Sequence, residues 1–517
     1  FTKIITFMIQ KGFTKFSFGY ICLLLVAFLP SCGGANIDKE IRKAVGDGKI
    51  TSSEWTSIVA LAEKNPDYKD ENGQFDAQLL KNCIQDFASN KMRGIDEVIF
   101  DEDIESIILA SSQGVNDLQI KFKFYLERSG SMVPYDSPST KGEFKKAITQ
   151  LLNSIPNNAN VREDDNLLYI VNDAVYSYNK SYKDFLTSKD IFSDTKQLGD
   201  PRYTDFTCIF DSILTHTAPN ELSILASDLI YSTKEMATTN PQKILNEAEA
   251  LTTSIFKGHN GLDVTVIKLT ADYDGNYYPY NSPSKGIKYK GQRPYYLMLV
   301  ATPEVMNKIM TDPQYEDFRD FEDLKGFVDY YCFSSNHRNP LYSVLLSDHQ
   351  NIGRFKATRG QGEIIHNLED FDADKDGVRS FAVAVDLHDV ITPDDYKTNK
   401  DNYTISSNSG FIIEEIEEID KEDMSTEAKR AVPNATHKFI ITSRDKIKNH
   451  DKINITLNKV LPQWIEGSST NDDSDIKADR FDETTFAFKE LMQGIYESFI
   501  SSNKQKTEFE ISFEIAK

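Results

Sequence analysis

The chain has 517 residues, of which 39% are hydrophobic and 27% are charged, and its formal net charge is −22. A chain of this length is too long to fold around a single hydrophobic core, so about two to four domains are expected. The composition excludes disorder along the whole chain. The acidic excess argues against a nucleic-acid partner, because phosphate binding needs Lys and Arg clusters. It fits an extracytoplasmic protein or a cation binder, although solubility accounts for most of it.

The N-terminal segment, residues 1–31, has the layout of a secretory signal peptide. Lys3, Lys11 and Lys15 form its basic start, and the apolar run "GYICLLLVAFL" that follows is too short to be a stable membrane anchor. The run ends in "LPSC", which resembles the lipobox of bacterial lipoproteins. That resemblance implies cleavage before Cys32 and lipid attachment to its thiol. The alternative is an ordinary signal peptide followed by an incidental cysteine.

The cysteines that would remain beside the lipidated one are Cys83, Cys208 and Cys332. They are too widely spaced to indicate a disulfide framework, and no Cys/His cluster indicates zinc. Cys208 is expected to be a small buried hydrophobic residue.

Residues 32–117 are predicted to form a linker and a small helical region. The stretches "NIDKEIRKAV", "SSEWTSIVALAEK" and "FDAQLLKNCIQDFASNK" have apolar residues at helical spacing. The turn "GDGKIT" resembles an incomplete EF-hand loop, with Gly48 at the sharp bend and Glu54 as the terminal acid. Lys43 and Val45 stand where calcium needs oxygen ligands, so a plain helix-turn-helix is the preferred interpretation.

Residues 118–318 alternate between strand and helix patterns. "LQIKFKFYL", "NLLYIVND", "ELSILASDLIYS", "LDVTVIKLT" and "PYYLMLVAT" are predicted strands, and helical segments lie between most of them. This alternation predicts a Rossmann-like α/β domain with a mostly parallel sheet flanked by helices. The Tyr-, Pro- and Gly-rich segment 272–294 is expected to be a surface excursion.

Residues 319–517 are predicted to be rich in β-structure. "RSFAVAVDL", "SGFIIEEIEEI", "HKFIITS", "KINITLNKV" and "TEFEISFEIA" have strand length and are separated by polar turns. They favour an antiparallel β-sandwich. One late amphipathic helix, Thr484 to Ser502, is expected to pack on that sandwich.

Polar oxygens follow directly after the first predicted strand of the α/β domain. Glu127, Ser129 and Ser131 occupy alternate positions in "FYLERSGSM", and Gly130 permits a turn there. Ligands of open parallel sheets bind beyond the carboxyl ends of the strands. Because carboxylate and hydroxyl oxygens are ligands that Mg²⁺ and Mn²⁺ prefer, the sequence predicts a metal site.

The motif "ERSGSM" is similar to the Asp-x-Ser-x-Ser signature of the metal-ion-dependent adhesion site of von Willebrand factor A domains, with Glu127 in place of Asp. "TCIFDSIL" resembles the start of the family's third helix and nominates Thr207. "LSILASD" resembles its fourth strand and nominates Asp228. The resemblance covers about residues 118–315.

The resemblance implies a role for each of these side chains. Ser129 and Ser131 would bind the metal directly, and Thr207 directly or through water. Glu127 and Asp228 would act mainly through water and hydrogen bonds. Mg²⁺ or Mn²⁺ is the implied ion, and Ca²⁺ is a weaker fit. An open coordination position would accept a carboxylate from a partner protein, which is the family's mode of recognition.

Structural alternatives exist for the same residues. Ser129 and Ser131 could complete a βα turn, Thr207 could cap a helix, and Asp228 could cap a loop. Glu127 is one methylene group longer than the usual Asp, which leaves open a weakened or inactive site.

A second acidic stretch, "DFDADKDGVRS", resembles half of a calcium loop through Asp372, Asp374, Asp376 and Gly377. Val383 stands where the bidentate Glu should be, so an acidic β-turn is the preferred interpretation.

No motif indicates catalysis. The chain has no HExxH, no GxSxG and no phosphate-binding loop, and no nucleophile is identifiable with a base, so a non-enzymatic protein is expected. The leading hypothesis is a lipid-anchored bacterial envelope protein, at the outer membrane or cell surface, that binds a partner protein through a divalent cation in adhesion or complex assembly. The alternatives are a metal-independent structural component with a degenerate site and a metal-dependent hydrolase.

Overall fold

A computed structural model of the chain describes most residues from 35 onward. The described residues are 35–62, 65, 68–69, 75, 77–92, 98–101, 104, 120–156, 167–200, 204, 206–231, 239–259, 261–359, 364–419, 424–448, 450–503 and 506–516. The predicted signal peptide and Cys32 lie outside them. The chain forms two compact units that divide between Gln119 and Ile120. Within the described part of the chain, no helix has the length and apolar character needed to span a membrane.

The first unit is a small helical body with its own apolar core. It contains α1 (Ala35–Ala44), α2 (Ser52–Ala62) and α3 (Ala77–Lys91), and β1 (Lys49–Ile50) pairs in parallel with β2 (Ile99–Phe100). The apolar faces of the helices meet in a cluster that includes Ile41, Trp55 and Leu80. This unit therefore has the helical character expected from the spacing of its apolar residues.

The turn between α1 and α2 supports the helix-turn-helix interpretation. Gly48 has a φ of 81°, which favours glycine. Thr51 donates to the Glu54 carboxylate from its backbone nitrogen at 3.0 Å and from its hydroxyl at 2.8 Å. The backbone nitrogen of Glu54 donates back to the Thr51 hydroxyl at 3.4 Å. Glu54 thus forms a capping box at the start of α2, which accounts for an acid at this position.

The second unit begins with a seven-stranded sheet in the order β5-β4-β3-β6-β8-β7-β9. Its strands are β3 (Lys121–Glu127), β4 (Leu168–Val171), β5 (Val175–Ser177), β6 (Glu221–Ser227), β7 (Asp263–Tyr277), β8 (Ile287–Ala301) and β9 (Phe327–Phe333). The prediction of mixed α and β structure with parallel strands is confirmed.

The prediction of a mostly parallel sheet is wrong. β3 pairs in parallel with β4 and β6, whereas β5, β7, β8 and β9 make antiparallel pairs. The cause is a long hairpin: β7 and β8 pair from Asp263–Ala301 to Tyr277–Ile287, and β8 lies between β6 and β7. A hairpin needs no crossover helix, so the segment 272–294 continues the ladder for most of its length instead of leaving it.

Helices cover both faces of this sheet. Side chains alternate along β3, so Phe122 and Phe124 contact Phe318 and Phe185 on one face, with ring centroids 5.1 and 6.0 Å apart. Tyr125 faces the other way, into an apolar cluster that includes Ile209 and Ile244 of the helices on that face. The helices of this region are α4 (Glu143–Asn153), α5 (Tyr182–Thr187), α6 (Ile191–Asp194), α7 (Phe206–His216), α8 (Pro241–Gly258), α9 (Pro303–Thr311) and α10 (Glu316–Arg319).

Two further sheets follow. The four-stranded sheet has the order β10 (Tyr342–Val344), β13 (Arg379–Val385), β16 (His437–Ser443), β15 (Ile412–Glu418). The five-stranded sheet has the order β11 (Arg354–Arg359), β12 (Ile365–Asp372), β20 (Thr507–Ala516), β17 (His450–Asn458), β14 (Tyr403–Ser406). Rings from the two sheets contact each other, as in the pairs Phe381–Phe513 and Tyr403–Phe439, both at 5.5 Å.

The remaining elements are short helices, one long helix and a short parallel strand pair. They are α11 (Asp394–Thr398), α12 (Thr426–Ala431), α13 (Gln463–Gly467), α14 (Phe488–Asn503) and the parallel pair β18 (Ser469–Thr470) and β19 (Thr485–Phe486). The late helix α14 packs closely on α8. Their approach is such that a Cβ at Gly494 would lie 2.7 Å from the Glu249 carbonyl oxygen. At its first residue, the Phe488 ring stacks on Tyr296 of β8 at 4.2 Å. Residues 120–517 thus form one compact unit, and the boundary at 318/319 stays a prediction.

The second acidic stretch forms a tight turn between β12 and β13. The Asp374 carboxylate accepts hydrogen bonds from the backbone nitrogens of Asp376 at 3.0 Å and Val378 at 2.8 Å. Gly377 has a φ of 78°, as such a turn requires. These bonds support the interpretation as an acidic β-turn.

Candidate metal site

Glu127, the last residue of β3, is buried at the carboxyl end of that strand, with 1% of its surface exposed. Its Oε1 accepts a 2.7 Å hydrogen bond from the Thr204 hydroxyl, and its Oε2 accepts one from the Ser227 hydroxyl. Ser227 ends β6, the parallel neighbour of β3. Both carboxylate oxygens are therefore engaged by protein hydroxyls, and the bond from Ser227 joins the two strand ends.

Ser129 and Ser131 meet in the turn after β3. Their Oγ atoms lie 2.9 Å apart, and the backbone nitrogen of Met132 donates to Ser129 Oγ at 3.3 Å. Ser129 is buried and Ser131 is half-buried. Between them, a Cβ at Gly130 would lie 3.0 Å from a ring carbon of Tyr278. A side chain at this position would therefore press on Tyr278, which follows β7.

Asp228 follows Ser227 directly and brings a second buried carboxylate to the site. It is 1% exposed, and its Oδ1 accepts a 3.2 Å hydrogen bond from the backbone nitrogen of Ile230. Its Oδ2 is buried and has no hydrogen-bond partner among the described residues. The next residue, Leu229, has a φ of 49°, a left-handed conformation that is strained for leucine.

Both buried carboxyl groups bind protons more strongly than they would in water. Burial raises the pKa of Glu127 to about 8, the neighbouring Asp228 charge adds to this shift, and hydroxyl donors oppose it. Burial also raises the pKa of Asp228, against hydrogen bonds from Ser131 and Ile230 and the charge of Arg293. The pair therefore favours a state with less than its full negative charge, or with a cation beside it.

The structure brings together four of the five residues nominated by the sequence. Glu127, Ser129, Ser131 and Asp228 meet at the ends of β3 and β6, as the hydrogen bonds above and the effect of the Asp228 charge on Glu127 show. The exception is Thr207, whose side chain is exposed on the first turn of α7.

Thr204, three residues earlier, contacts the cluster instead of Thr207, through Glu127. Its side chain is buried and donates to Glu127. Cys208 is also exposed, contrary to the expectation that it is buried. The reason is the helical period of α7, which turns Phe206, Ile209 and Phe210 toward the core and the two intervening residues toward solvent.

Sequence reasoning missed Arg293. It lies in β8, is 1% exposed, and stacks on the rings of Tyr277 and Phe481 with its guanidinium carbon 4.7 and 4.2 Å from their centroids. Its positive charge lowers the pKa of Asp228. The sequence held one signal for Arg293, a charged residue within the strand-like stretch "GQRPYYLMLV". A single arginine does not indicate which acid it acts on, so Asp228 could not be inferred from it.

The donor set of this cluster fits a hard divalent cation. The Ser131 hydroxyl acts on the Asp228 carboxylate, whose Oδ2 is buried without a hydrogen-bond partner among the described residues, and Ser129 Oγ lies 2.9 Å from Ser131 Oγ. Elsewhere in the described residues, as here, no group of three or more His, Cys, Asp or Glu side chains is arranged to hold a metal ion. A cation at this place would therefore depend on hydroxyl ligands.

Comparison of the chain with models of known protein families, with curated proteins and with solved structures gave no match.

Proposed function

We propose that this protein binds a partner protein through a divalent cation, Mg²⁺ or Mn²⁺, at the carboxyl ends of β3 and β6. The observation that carries the proposal is the buried Asp228 Oδ2, which has no hydrogen-bond partner among the described residues. The Ser131 hydroxyl acts on the same carboxylate, and Ser129 Oγ lies 2.9 Å from Ser131 Oγ. A buried carboxylate oxygen without a donor is unfavourable unless a cation or water satisfies it. The bound ion would supply a positive centre for a partner's carboxylate.

The side chains divide into two groups in this proposal. Ser129, Ser131 and Asp228 would hold the ion. Glu127 would position them, because both of its oxygens already accept hydrogen bonds from Thr204 and Ser227. This division agrees with the indirect role that the resemblance to von Willebrand factor A domains implies for the first acid.

The cellular setting is also part of the proposal. Lipid attachment at Cys32 would anchor the protein to the bacterial envelope, at the outer membrane or cell surface. There the seven-stranded sheet would carry the site that recognises the partner, and the four- and five-stranded sheets would support it. The activity is binding, in adhesion or envelope-complex assembly, and not catalysis.

Calorimetric titration of the mature chain with Mn²⁺ and Mg²⁺ tests the proposal. We expect one site in the wild type and at least about tenfold weaker binding in a Ser129→Ala/Ser131→Ala variant. The matched control is Ser137→Ala/Ser139→Ala, since these hydroxyls are 3.0 Å apart at the same spacing but exposed and outside the site. Absence of binding in the wild type, or equal binding by both double variants, would refute the proposal.

A metal-independent structural component is the second candidate. Arg293 already provides a positive charge that acts on Asp228, and protein hydroxyls engage both oxygens of Glu127. In that case the melting temperature of the wild type would be the same in EDTA and in millimolar Mn²⁺. A rise with Mn²⁺ that is lost in Ser129→Ala/Ser131→Ala would select the first candidate.

A further inference from the structure

Arg293 is a buried charge that the proposed function does not use. It belongs to the largest fully buried side chains of the described residues, and burial of a guanidinium is unfavourable without partners. One terminal nitrogen donates to the Phe481 carbonyl oxygen, and two aromatic rings flank the group. Its Nε is buried and has no hydrogen-bond partner among the described residues.

The strand register places Arg293 on the same side of the sheet as Asp228. β6 and β8 are antiparallel, and Ser227 pairs with Tyr296. Asp228 is therefore one residue beyond the last pair, next to Tyr295. Arg293 lies two residues further along β8 and, because side chains alternate, points to the same face. Each of the two groups keeps one buried polar atom without a hydrogen-bond partner among the described residues.

We propose that Arg293 is the resident counter-charge of Asp228, and that it competes with a divalent cation for this carboxylate. The competition rests on the proposed function, whereas the charge pairing does not. A protein with this arrangement holds its acidic site folded in the absence of metal, because the arginine offsets part of the cost of burying the carboxylate. The same arginine lowers the affinity of the site for a cation by adding positive charge beside it.

Arg293 also connects the site with the segment 468–488. The Asp473 carboxylate accepts hydrogen bonds from the Tyr277 hydroxyl at 2.5 Å and from the backbone nitrogen of Tyr280 at 2.9 Å. The Phe481 ring lies 4.8 Å from that of Tyr277. Since the Phe481 carbonyl and Asp228 both attract one guanidinium, a cation at Asp228 would strengthen the hold of Arg293 on the segment. Binding of the cation and ordering of the segment are then coupled in both directions.

The first experiment compares Arg293→Met with the wild type in the mature chain. We expect Mn²⁺ binding to become at least about tenfold tighter, because one positive charge leaves the neighbourhood of Asp228. The melting temperature without metal should fall and recover in Mn²⁺. The control is Lys268→Met, which removes a buried cation that holds the same segment through Ser468 Oγ at 2.7 Å and the Glu483 carbonyl at 2.8 Å.

Lys268→Met should weaken the segment without making Mn²⁺ binding tighter, because the coupling described above allows a weakened segment only to lower the affinity. If both variants changed the affinity for Mn²⁺ equally, or if a folded Arg293→Met variant bound Mn²⁺ as the wild type does, Arg293 would not compete with the cation for Asp228. A double-mutant cycle without metal tests the pairing alone: Arg293→Met should lower the melting temperature less in an Asp228→Asn background than in the wild type. If the effects of the two substitutions were additive, Arg293 would not be the counter-charge of Asp228. If they were coupled but the wild type bound no Mn²⁺, the charge pairing would stand and only the proposed metal function would be refuted.

Discussion

Glu127 shows how one methylene group changes the role of a site residue. An Asp at this position would have the shorter reach that the von Willebrand factor A signature uses. The Glu side chain instead places one oxygen against Thr204 and the other against Ser227. Because these donors come from different elements, the carboxylate joins the end of β3 to β6 and to the segment before α7. Its first effect is therefore on the rigidity of the site.

Thr204 and Thr207 provide a matched pair for testing this role. Thr204→Ala removes the donor to the buried Glu127 and should lower the free energy of unfolding by about 1–3 kcal/mol. Thr207→Ala, at an exposed position, should change it by less than about 0.5 kcal/mol. Urea unfolding of both variants measures the difference. Equal destabilisation, or a larger effect at Thr207, would contradict the assignment of Thr204 to the site.

The sequence predicts most of the site residues but not the threonine or the arginine. Glu127 and Asp228 follow two strand-like stretches, and parallel neighbours end at the same edge of a sheet, so their proximity could be inferred. Thr204 and Thr207 are one helical turn apart in "TDFT", and only a tertiary contact distinguishes them. Arg293 reaches the site through antiparallel pairing of β6 with β8, which no local pattern encodes.

At the scale of elements, the hairpin of β7 and β8 differs most from expectation. Both "LDVTVIKLT" and "PYYLMLVAT" are predicted as strands, and both are. The intervening Tyr, Gly and Pro residues indicate a loop by composition, yet half of them lie in the ladder, which extends as far as Tyr277 and Ile287. Cross-strand contacts, such as the 6.0 Å pair Tyr273–Tyr289, stabilise this extension and override local propensity.

The packing of α14 on α8 depends on one glycine. A Cβ at Gly494 would lie 2.7 Å from the Glu249 carbonyl oxygen and 2.7 Å from Thr252 Cβ. Gly494→Ala should therefore destabilise the protein by about 1–3 kcal/mol, although alanine is the better helix former by about 1 kcal/mol. The control is Gly258→Ala in α8, where a Cβ would meet nothing within 4 Å.

Chemical denaturation of the two glycine variants measures the effect. Gly258→Ala should be neutral or slightly stabilising, because it gains helix propensity without a clash. If Gly494→Ala were as stable as Gly258→Ala, the close approach of the two helices would be wrong.

At the scale of the molecule, residues 120–517 are held as one unit partly by a buried polar junction. Lys459, which follows β17, donates to the carbonyl oxygens of Ser334 at 2.8 Å and Asn336 at 2.7 Å, just beyond β9. Asp263, at the start of β7, accepts a 2.9 Å hydrogen bond from the Ser334 hydroxyl. Polar residues scattered along the sequence thus join the seven-stranded sheet to the five-stranded sheet. Their pairing depends on the fold and is not visible in the sequence.

Glu508, in β20, adds a pH-sensitive group to this junction. It is 4% exposed, and its Oε1 is buried without a hydrogen-bond partner among the described residues. Burial and, to a smaller extent, the charge of Asp263 raise its pKa from an ordinary value of 4.5 to about 7, against the opposing charges of Lys459 and Arg338. The carboxyl group therefore holds its proton more strongly in the folded protein than in the unfolded chain.

This shift predicts that the junction loses stability as pH rises. Between about pH 4.5 and 7 the folded state binds more protons at Glu508, so its contribution to the free energy of unfolding falls by up to about 1.4 kcal/mol per pH unit and then stays constant. Glu508→Gln keeps the size without the titration, so its stability relative to the wild type should increase across this window. Urea midpoints from pH 4.5 to 8 measure this, and exposed Glu510→Gln is the control. A difference independent of pH for Glu508→Gln would show that this carboxyl group does not carry the dependence.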